Sequence, residues 1–457
     1  MMRSEQPVIF WTLICAVALA PLPFASIYPW SWGLLASLVG ALVTAWSLRV
    51  VVGFQKPALG LRATWPFIAL FAVAAGWAAL QTVSWTPAAW HHPLWESASR
   101  ALGVALPGRI SVNPDETLSA LTRLLAYAGI FWLALQYGRR TMRAEQMFFS
   151  IIGAGAAYGA LGQLQAWFGW KSRLGMPGPS DGWSAWGEVA DAHPYATYVS
   201  LALICISSLV LARGAPTPRR LGLRDLARRL VDGSGASWPL LSVWLLLLGL
   251  ASTFRAKDAV SLWLALGSLV VVALIGKLAR SLRLFVFSLA SVLVIVGLGA
   301  VSDLAAPSAV SQPEADGGQL ERLHDLTLDA IGDAPMLGTG YGTFEDVFRF
   351  YRTGDFPAKV LHARSSYLEI ILELGLPAAA ALFLLFAGFA LLTLSGAVRR
   401  QRDSAYAAAG FAATVLVASH AAFDYSLQVP AVVATYMLLI GAACAQSWSS
   451  RREDDDW

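Results

Sequence analysis

Residues 376–396 read LPAAAALFLLFAGFALLTLSG and hold no charged side chain. A helix of about 20 apolar residues crosses the hydrocarbon core of a bilayer, because a helix satisfies its own backbone donors and acceptors there. The run continues N-terminally into SYLEIILELG (366–375), so one span is predicted over 366–396. Working outward, comparable stretches lie near 8–26, 31–51, 65–84, 119–137, 147–168, 194–212, 238–253, 259–276, 284–302, 405–423 and 428–447, for twelve in all. The first, from Val8 to Phe24, lacks a small-residue cleavage site and reads as a membrane helix, not a signal peptide. Composition agrees: 57% of the 457 residues are hydrophobic and 14% charged, against roughly 25% charged in a soluble domain. The 19 Trp against 12 Tyr suit rings anchored at two interfaces. The expected fold class is an all-α polytopic membrane protein of about 12 transmembrane helices. A soluble enzyme is excluded, and no nucleic-acid partner is expected. Cys15, Cys205 and Cys444 fall inside apolar segments and read as small packing residues.

An even number of spans puts both termini on one side, and the basic residues choose it. With the amino terminus inside, the inner connections hold Arg49, Lys56 and Arg62, then Arg139, Arg140 and Arg143, then the arginines of 213–229. Lys277, Arg280 and Arg283 follow, then Arg399, Arg400 and Arg402. With Arg3, Arg451 and Arg452, these make 21 of the 33 Lys and Arg, so the positive-inside rule is met by every inner connection. The outer connections are 85–118, 169–193, the short turn 253–258 and the long segment 303–365. The chain thus divides into spans 1–9 over 1–302, a large outer loop over 303–365, and the last three spans with the tail over 366–457. The large loop is too long to be idle. Its apolar residues at 320, 323, 326 and 330 have helical spacing, with Arg322, Asp325 and Asp329 on the opposite stripe. A second short helix is predicted over Phe344–Tyr351, and both are expected to lie on the membrane surface and roof a cavity below.

Charge near membrane depth is costly and marks candidate function. LASTFRAKD (250–258) sets Arg255, Lys257 and Asp258 on a turn so short that they sit at the outer interface. The alternative is a plain interface turn with snorkelling cations. LHARSSYLEIILELGLP (361–377) places His362 and Arg364 at the start of a span, with Ser365 or Ser366 as the helix cap. Glu369 and Glu373 follow one turn apart on one face, where Arg255 or Arg364 can neutralise them; the bland reading of Glu369 is a solvated first turn. His193 opens the span HPYATYVSL ahead of Pro194. His420 and Asp424 lie one turn apart, as suited to a helix–helix hydrogen bond as to a site. His91 and His92, between Trp90 and Trp95, read as a wet interface loop.

Together these pieces resemble the O-antigen ligase and polymerase family of bacterial membrane glycosyltransferases. STFRAKDAVSLWL (252–264) is similar to the family's Ser–Arg turn and following span. Arg322 through Phe344, ending in PMLGTGYGTF, resembles its amphipathic segment with a Gly-Xaa-Gly-Xaa-Gly-Xaa-Phe end, and HARSSYLEIILELG (362–375) its histidine motif. The loop 85–118, with WTPAAW and SVNPDETLSALTRLLAY, is similar to a subgroup, and 182–201 to the segment before the sixth span. The chain departs from the pattern twice. Eleven positions before Gly375, where the family has histidine, stands Arg364 followed by Ser365, with His362 two residues earlier. The basic residue before the sixth span is also missing from GEVADAHPY (187–195).

The resemblance implies a GT-C-like fold in the bacterial inner membrane, both termini cytoplasmic and the active face periplasmic. It implies transfer of a glycan from undecaprenyl pyrophosphate to an acceptor hydroxyl, with inversion, and leaves the acceptor open between lipid A core, a growing glycan and a protein. Charge grows on phosphate oxygens in such a transition state, and guanidinium groups stay protonated and bind phosphate through two donors. Arg255 and Arg322 are assigned there, with Arg364 as a third clamp, and neither metal nor cofactor is required. His362 is the candidate base and Glu369 the second; Lys257, Glu369, Tyr367 and His193 are the remaining candidate substrate contacts. The run Gly338–Gly342 reads as a bend between the two loop helices. A secondary transporter competes, since twelve spans are common there, but the charges cluster at one face and not at the midplane. A non-catalytic polysaccharide-export component is the third reading.

Overall fold

The structure is a computed structural model and describes residues 7–22, 24–168, 192–213, 237–251, 261–270, 317–354, 356, 360–400 and 403–448. Among these it is all helical. The helices are α1 (Pro7–Leu19), α2 (Pro29–Val51), α3 (Leu61–Gln81), α4 (Leu94–Leu102), α5 (Pro114–Tyr137), α6 (Thr141–Phe168) and α7 (Ala192–Arg213). Then come α8 (Ser237–Ala251), α9 (Ser261–Val270), α10 (Gly317–Asp333), α11 (Phe344–Tyr351), α12 (Ser366–Arg399), α13 (Ser404–His420) and α14 (Pro430–Ser447). Helix occupies every predicted span wholly or in part except 284–302, which lies outside the described residues. Among the described residues five helices, α2, α3, α5, α12 and α14, are long and apolar enough to cross a membrane.

Burial runs inside out from a soluble bundle. The central helix α14 is buried along nearly its whole length, and it packs on α5, α13 and α12. Small residues make this possible: a side chain at Gly441 would meet the α5 backbone at Phe131, and one at Gly138 would meet Ala442. The outer helices instead turn large apolar side chains outward, among them Leu34, Val51, Trp65, Leu384 and Leu391. An apolar exterior of that extent is what lipid covers. Cys205 and Cys444 are buried as expected, whereas Cys15 is exposed on the outer face of α1.

The two ends of the bundle differ. At one end sit the C-termini of α2, α5, α12 and α14. There the arginines read as inner loop residues cap helix carbonyls: Arg139 donates to Ala445 O (3.1 Å) and Trp448 O (2.8 Å), and Arg400 to Gln446 O. Cations at a helix C-terminus also complement its dipole. The other end carries α4, α10 and α11, a roof with a small core of its own. Leu323 and Ala330 of α10 pack with Phe344, Val347 and Phe348 of α11, with Phe356, and with Leu372 of α12. Both loop helices thus form where the apolar spacing predicted them. Their buried faces are turned to each other and to the top of α12. Tyr351 pins the pair by donating to Asp333 Oδ2 (2.6 Å), and burial, then this bond, pushes its phenol up to about 12.

Candidate functional site

The site is built on a break in α12. Gly375 adopts φ 74°, a left-handed conformation open to glycine, and a Cβ there would fall on the Met336 carbonyl. Two residues on, Pro377 has no N–H, so the carbonyl of Glu373 loses its helical donor. Three of the groups at the break are taken up by the 335–340 segment. Leu372 O accepts from Thr339 N (3.0 Å), Glu373 O from Gly340 N (3.0 Å), and Leu376 N donates to Pro335 O (2.9 Å). Gln81, at the end of α3, closes the junction: its amide nitrogen donates to Glu373 O (2.8 Å) and Leu337 O (2.9 Å), and its oxygen accepts from Tyr341 N (3.1 Å). The glycine run 338–342 does bend the chain between α10 and α11, as read from sequence. It also lays its backbone on the broken helix, where a side chain at Gly338 would collide with Glu373 O.

Glu373 belongs to this junction. It is 2% exposed, and its Oε1 accepts from Phe344 N (3.1 Å), with a further bond to the backbone of Gly342. The carboxylate therefore caps α11, whose own N-cap residue Thr343 makes no side-chain cap. The nearby cation is Arg123 of α5, whose Nη2 lies 3.1 Å from Glu116 Oε1 and whose guanidinium stands 5.4 Å from the Trp32 ring centroid. Burial holds the phenol of Tyr341 well above its ordinary value, reinforced by Glu373 and Glu369 and opposed by Arg123.

Glu369, one turn earlier and 3% exposed, has different partners. Its Oε1 lies 3.3 Å from Nδ1 of His362, and its Oε2 accepts from Ala363 N (3.2 Å). The solvated-turn reading of Glu369 is overturned by this burial. Of the two cations expected for these glutamates, Arg255 lies outside the described residues and Arg364 is not used: the first carboxylate has a histidine and a backbone amide, the second backbone amides beside Arg123. The imidazole of His362 is stacked on Tyr425, with centroids 4.7 Å apart and planes 6° from parallel. Its side chain keeps 30% of its surface exposed. His324 of α10 faces the backbone of Ala363 from the roof, and burial lowers its pKa against the opposing effects of that contact and of Asp325.

Arg364 sits between these anchors at φ 51°. A non-glycine residue in that region carries strain and persists only where its neighbours fix it. Here Ala363 N is held by Glu369, and Ser366 N donates to Ala421 O (2.9 Å). The Arg364 side chain is exposed, and among the described residues no hydrogen bond or ion pair engages it. Neither Ser365 nor Ser366 caps the helix through its side chain; Ser366 Oγ donates instead to Asp424 O (3.1 Å).

Among the remaining sequence candidates, Arg322 is exposed on the outer stripe of α10 with Asp325 and Asp329. The hydroxyl of Tyr367 donates to Ala418 O (2.8 Å) and so ties α12 to α13. Arg255, Lys257 and Asp258 lie outside the described residues, as does the side chain of His193 at the start of α7. His420 and Asp424 are both buried with Nδ1 and Oδ2 3.6 Å apart. His91 and His92 make local loop contacts, to Thr86 Oγ1 (3.2 Å) and from Leu94 N (3.2 Å). Sequence reading missed three contributors: Gln81, Arg123 and Tyr425. Arg123 carried a usable signal, a cation within the outer third of a predicted span.

An all-helical, membrane-embedded protein with a polar site of buried carboxylates and a histidine under a helical roof is the class these features define. Residues 241–383 match the family model described as O-antigen ligase, and this stretch of the chain is of that family. The match takes in α8 to α11 and the first half of α12, and so includes His362, Glu369, Glu373 and the break at Gly375. A comparison with curated proteins gave no match.

Proposed function

We propose that the chain is an inverting membrane glycosyltransferase that moves a glycan from undecaprenyl pyrophosphate to an acceptor hydroxyl. In this reading the roofed end is periplasmic and the end carrying Arg139 and Arg400 is cytoplasmic, in keeping with the positive-inside rule. The observation that carries it is the His362–Glu369 pair inside the O-antigen ligase match. With Nδ1 turned to a carboxylate, the imidazole presents Nε2 away from it as a base. Nε2 takes the acceptor proton while the hydroxyl oxygen attacks the anomeric carbon. The bond from that carbon to the phosphate oxygen breaks, and undecaprenyl pyrophosphate leaves. Its growing charge is met by guanidinium groups, Arg364 beside the base, Arg322 on α10 and Arg255 from the 250–258 turn. Lys257, Tyr367 and His193 complete the substrate surface. The acceptor is a lipid A core or a growing glycan.

The strained Arg364 favours a division of labour. The motif histidine is replaced by a permanent cation, and the base moves two residues back. The transporter reading would draw on the broken α12, but the carbonyls freed there are bonded to Thr339, Gly340 and Gln81 and are not left to coordinate an ion.

The test uses purified protein in detergent, lipid-pyrophosphate-linked oligosaccharides, candidate acceptors and no added metal, reading release of undecaprenyl pyrophosphate. Wild type turns over, and Arg255→Ala and Arg364→Ala each fall by about a hundredfold. Specific donor binding without turnover would favour an export component, and neither would favour transport.

A further inference from the structure

The reading of His362 as a base leaves open what holds its ring. One hydrogen bond from Nδ1 to Glu369 at 3.3 Å fixes one atom and permits the imidazole to swing about that contact. The second constraint comes from Tyr425, whose ring lies parallel to the imidazole at stacking distance. Tyr425 is itself mounted on a buried polar cluster. Its N–H donates to Asp424 Oδ1, and its carbonyl accepts from Gln428 N (2.8 Å) to close the 3₁₀ turn Ser426–Gln428. Asp424 Oδ2 accepts from Ser426 Oγ, and Ser426 Oγ accepts from Thr197 Oγ1 of α7 (3.0 Å). Ser366 of α12 holds the Asp424 carbonyl (3.1 Å), and His420 of α13 lies behind the carboxylate. Elements α7, α12 and α13 thus converge on the one turn that carries the ring.

We infer that Tyr425 is a positioning residue for His362, a rigid aromatic shelf that keeps Nε2 aimed at the acceptor. The buried His420–Asp424 pair is the mount of that shelf and not a second site. This inference rests on the proposed role of His362, and its geometry is testable apart from catalysis. The stack uses the ring face, so the phenolic hydroxyl is dispensable for it. A misplaced base costs turnover more than binding, since small misplacements act on the reacting geometry.

The variants are Tyr425→Phe and Tyr425→Leu. In glycan transfer, Tyr425→Leu lowers kcat by about tenfold or more at unchanged KM for the lipid-linked donor, and Tyr425→Phe stays within about twofold of wild type. Independently of turnover, diethyl pyrocarbonate modification of His362, resolved by peptide mass spectrometry, is faster in Tyr425→Leu because the ring, no longer held by the stack, is free to turn its nitrogen to the reagent. It is unchanged in Tyr425→Phe. His420, 1% exposed, stays unmodified while the fold is intact and serves as the internal control. Equal His362 modification in wild type and Tyr425→Leu overturns the inference, as does a loss of kcat in Tyr425→Phe as large as in Tyr425→Leu. Faster modification of His362 in a protein that transfers no glycan keeps the shelf and removes the glycosyltransferase reading.

Discussion

Glu369 and Glu373 stand one turn apart on the same face of α12, equally buried, and their carboxylates do opposite work. Glu373 is turned toward the roof and uses its oxygens on backbone amides at the head of α11. Glu369 is turned toward the edge and uses one oxygen on a backbone amide and the other on a histidine that still reaches solvent. The first arrangement is closed, with its donors supplied by the chain. The second ends in a titratable group with one nitrogen to spare. A buried carboxylate is therefore no signal of chemistry by itself. What separates a structural from a functional one is whether its partner has a free valence facing outward.

Substitutions at the two positions sharpen this contrast most. His362→Ala is expected to lower kcat for glycan transfer by about 10² to 10⁴, the usual worth of a positioned base, with unchanged thermal unfolding in detergent. Glu369→Gln follows in the same assay with a smaller loss, since the imidazole remains but its orientation and partner charge do not. Glu373→Leu behaves the other way. It strands backbone donors in the roof at about 1–3 kcal/mol each, so the unfolding midpoint falls and the 334–352 segment becomes sensitive to protease. A Glu373→Leu protein that unfolds like wild type and loses only turnover would break the comparison.

The junction beneath Glu373 gives the next effect. Gln81→Leu leaves one lone pair of Glu373 O and the Tyr341 N–H without their partner and the Leu337 carbonyl with Trp77 Nε1 alone (3.2 Å), and is expected to cost on the order of 2–5 kcal/mol. Gly375→Ala forces a Cβ onto the Met336 carbonyl at a left-handed φ and belongs in the same range. Both are read by calorimetry or tryptophan fluorescence in detergent. Stability near wild type for Gly375→Ala would mean that α12 can straighten and that the break is not required by the roof.

Acidification probes the edge rather than the junction. Burial lowers the pKa of His324 and of His92 below the ordinary value near 6.5. Each binds its proton less readily folded than unfolded, so its contribution is fully present above about pH 6.5 and is lost as pH falls through the lowered folded value. The unfolding midpoint is expected to drop between pH 7.5 and 5.5, and to drop less in His324→Gln. An identical pH profile in His324→Gln would show that the burial of His324 under the roof is not a source of the drop.

How much of this was legible follows from the range of the contacts. The helices α10 and α11 were readable because their apolar residues recur at local spacing, and the bend at 338–342 because glycine is locally informative. Arg364 at the motif position and His362 beside it were visible in one line of sequence. Gln81 was not, since a glutamine at the end of an apolar helix announces nothing until residues 337, 341 and 373 arrive around it. Tyr425 is similar: its value lies in a ring facing a residue distant in sequence. That Glu369 and Glu373 do not use Arg364 was hidden for a related reason. Charge counting looks for cations, whereas the fold supplied amides and an imidazole, donors that every chain carries and no composition reveals.

The smallest effect belongs to the exposed ion pairs of the roof, and it completes the contrast with the buried carboxylates. Glu96 and Arg100 pair across one turn of α4 with most of both side chains exposed, and Arg349 of α11 pairs with Glu345. Solvent screens such pairs, and the long side chains lose conformational freedom in making them, so each is worth at most about 1 kcal/mol. Arg100→Ala and Arg349→Ala are expected to shift stability by no more than about 0.5 kcal/mol, with the difference vanishing at high salt. Asp346, beside Arg349, tests whether geometry or charge matters there. It accepts from Asn113 Nδ2 (2.8 Å), and the same Asn113 caps α5 by accepting from Glu116 N (3.2 Å). Asp346→Asn therefore retains an acceptor for Asn113 and leaves stability close to wild type, while Asp346→Ala removes it and costs about 1 kcal/mol. Equal losses in both would assign the effect to the carboxylate's charge, and the roof surface would then be held by electrostatics that the buried junction does not use.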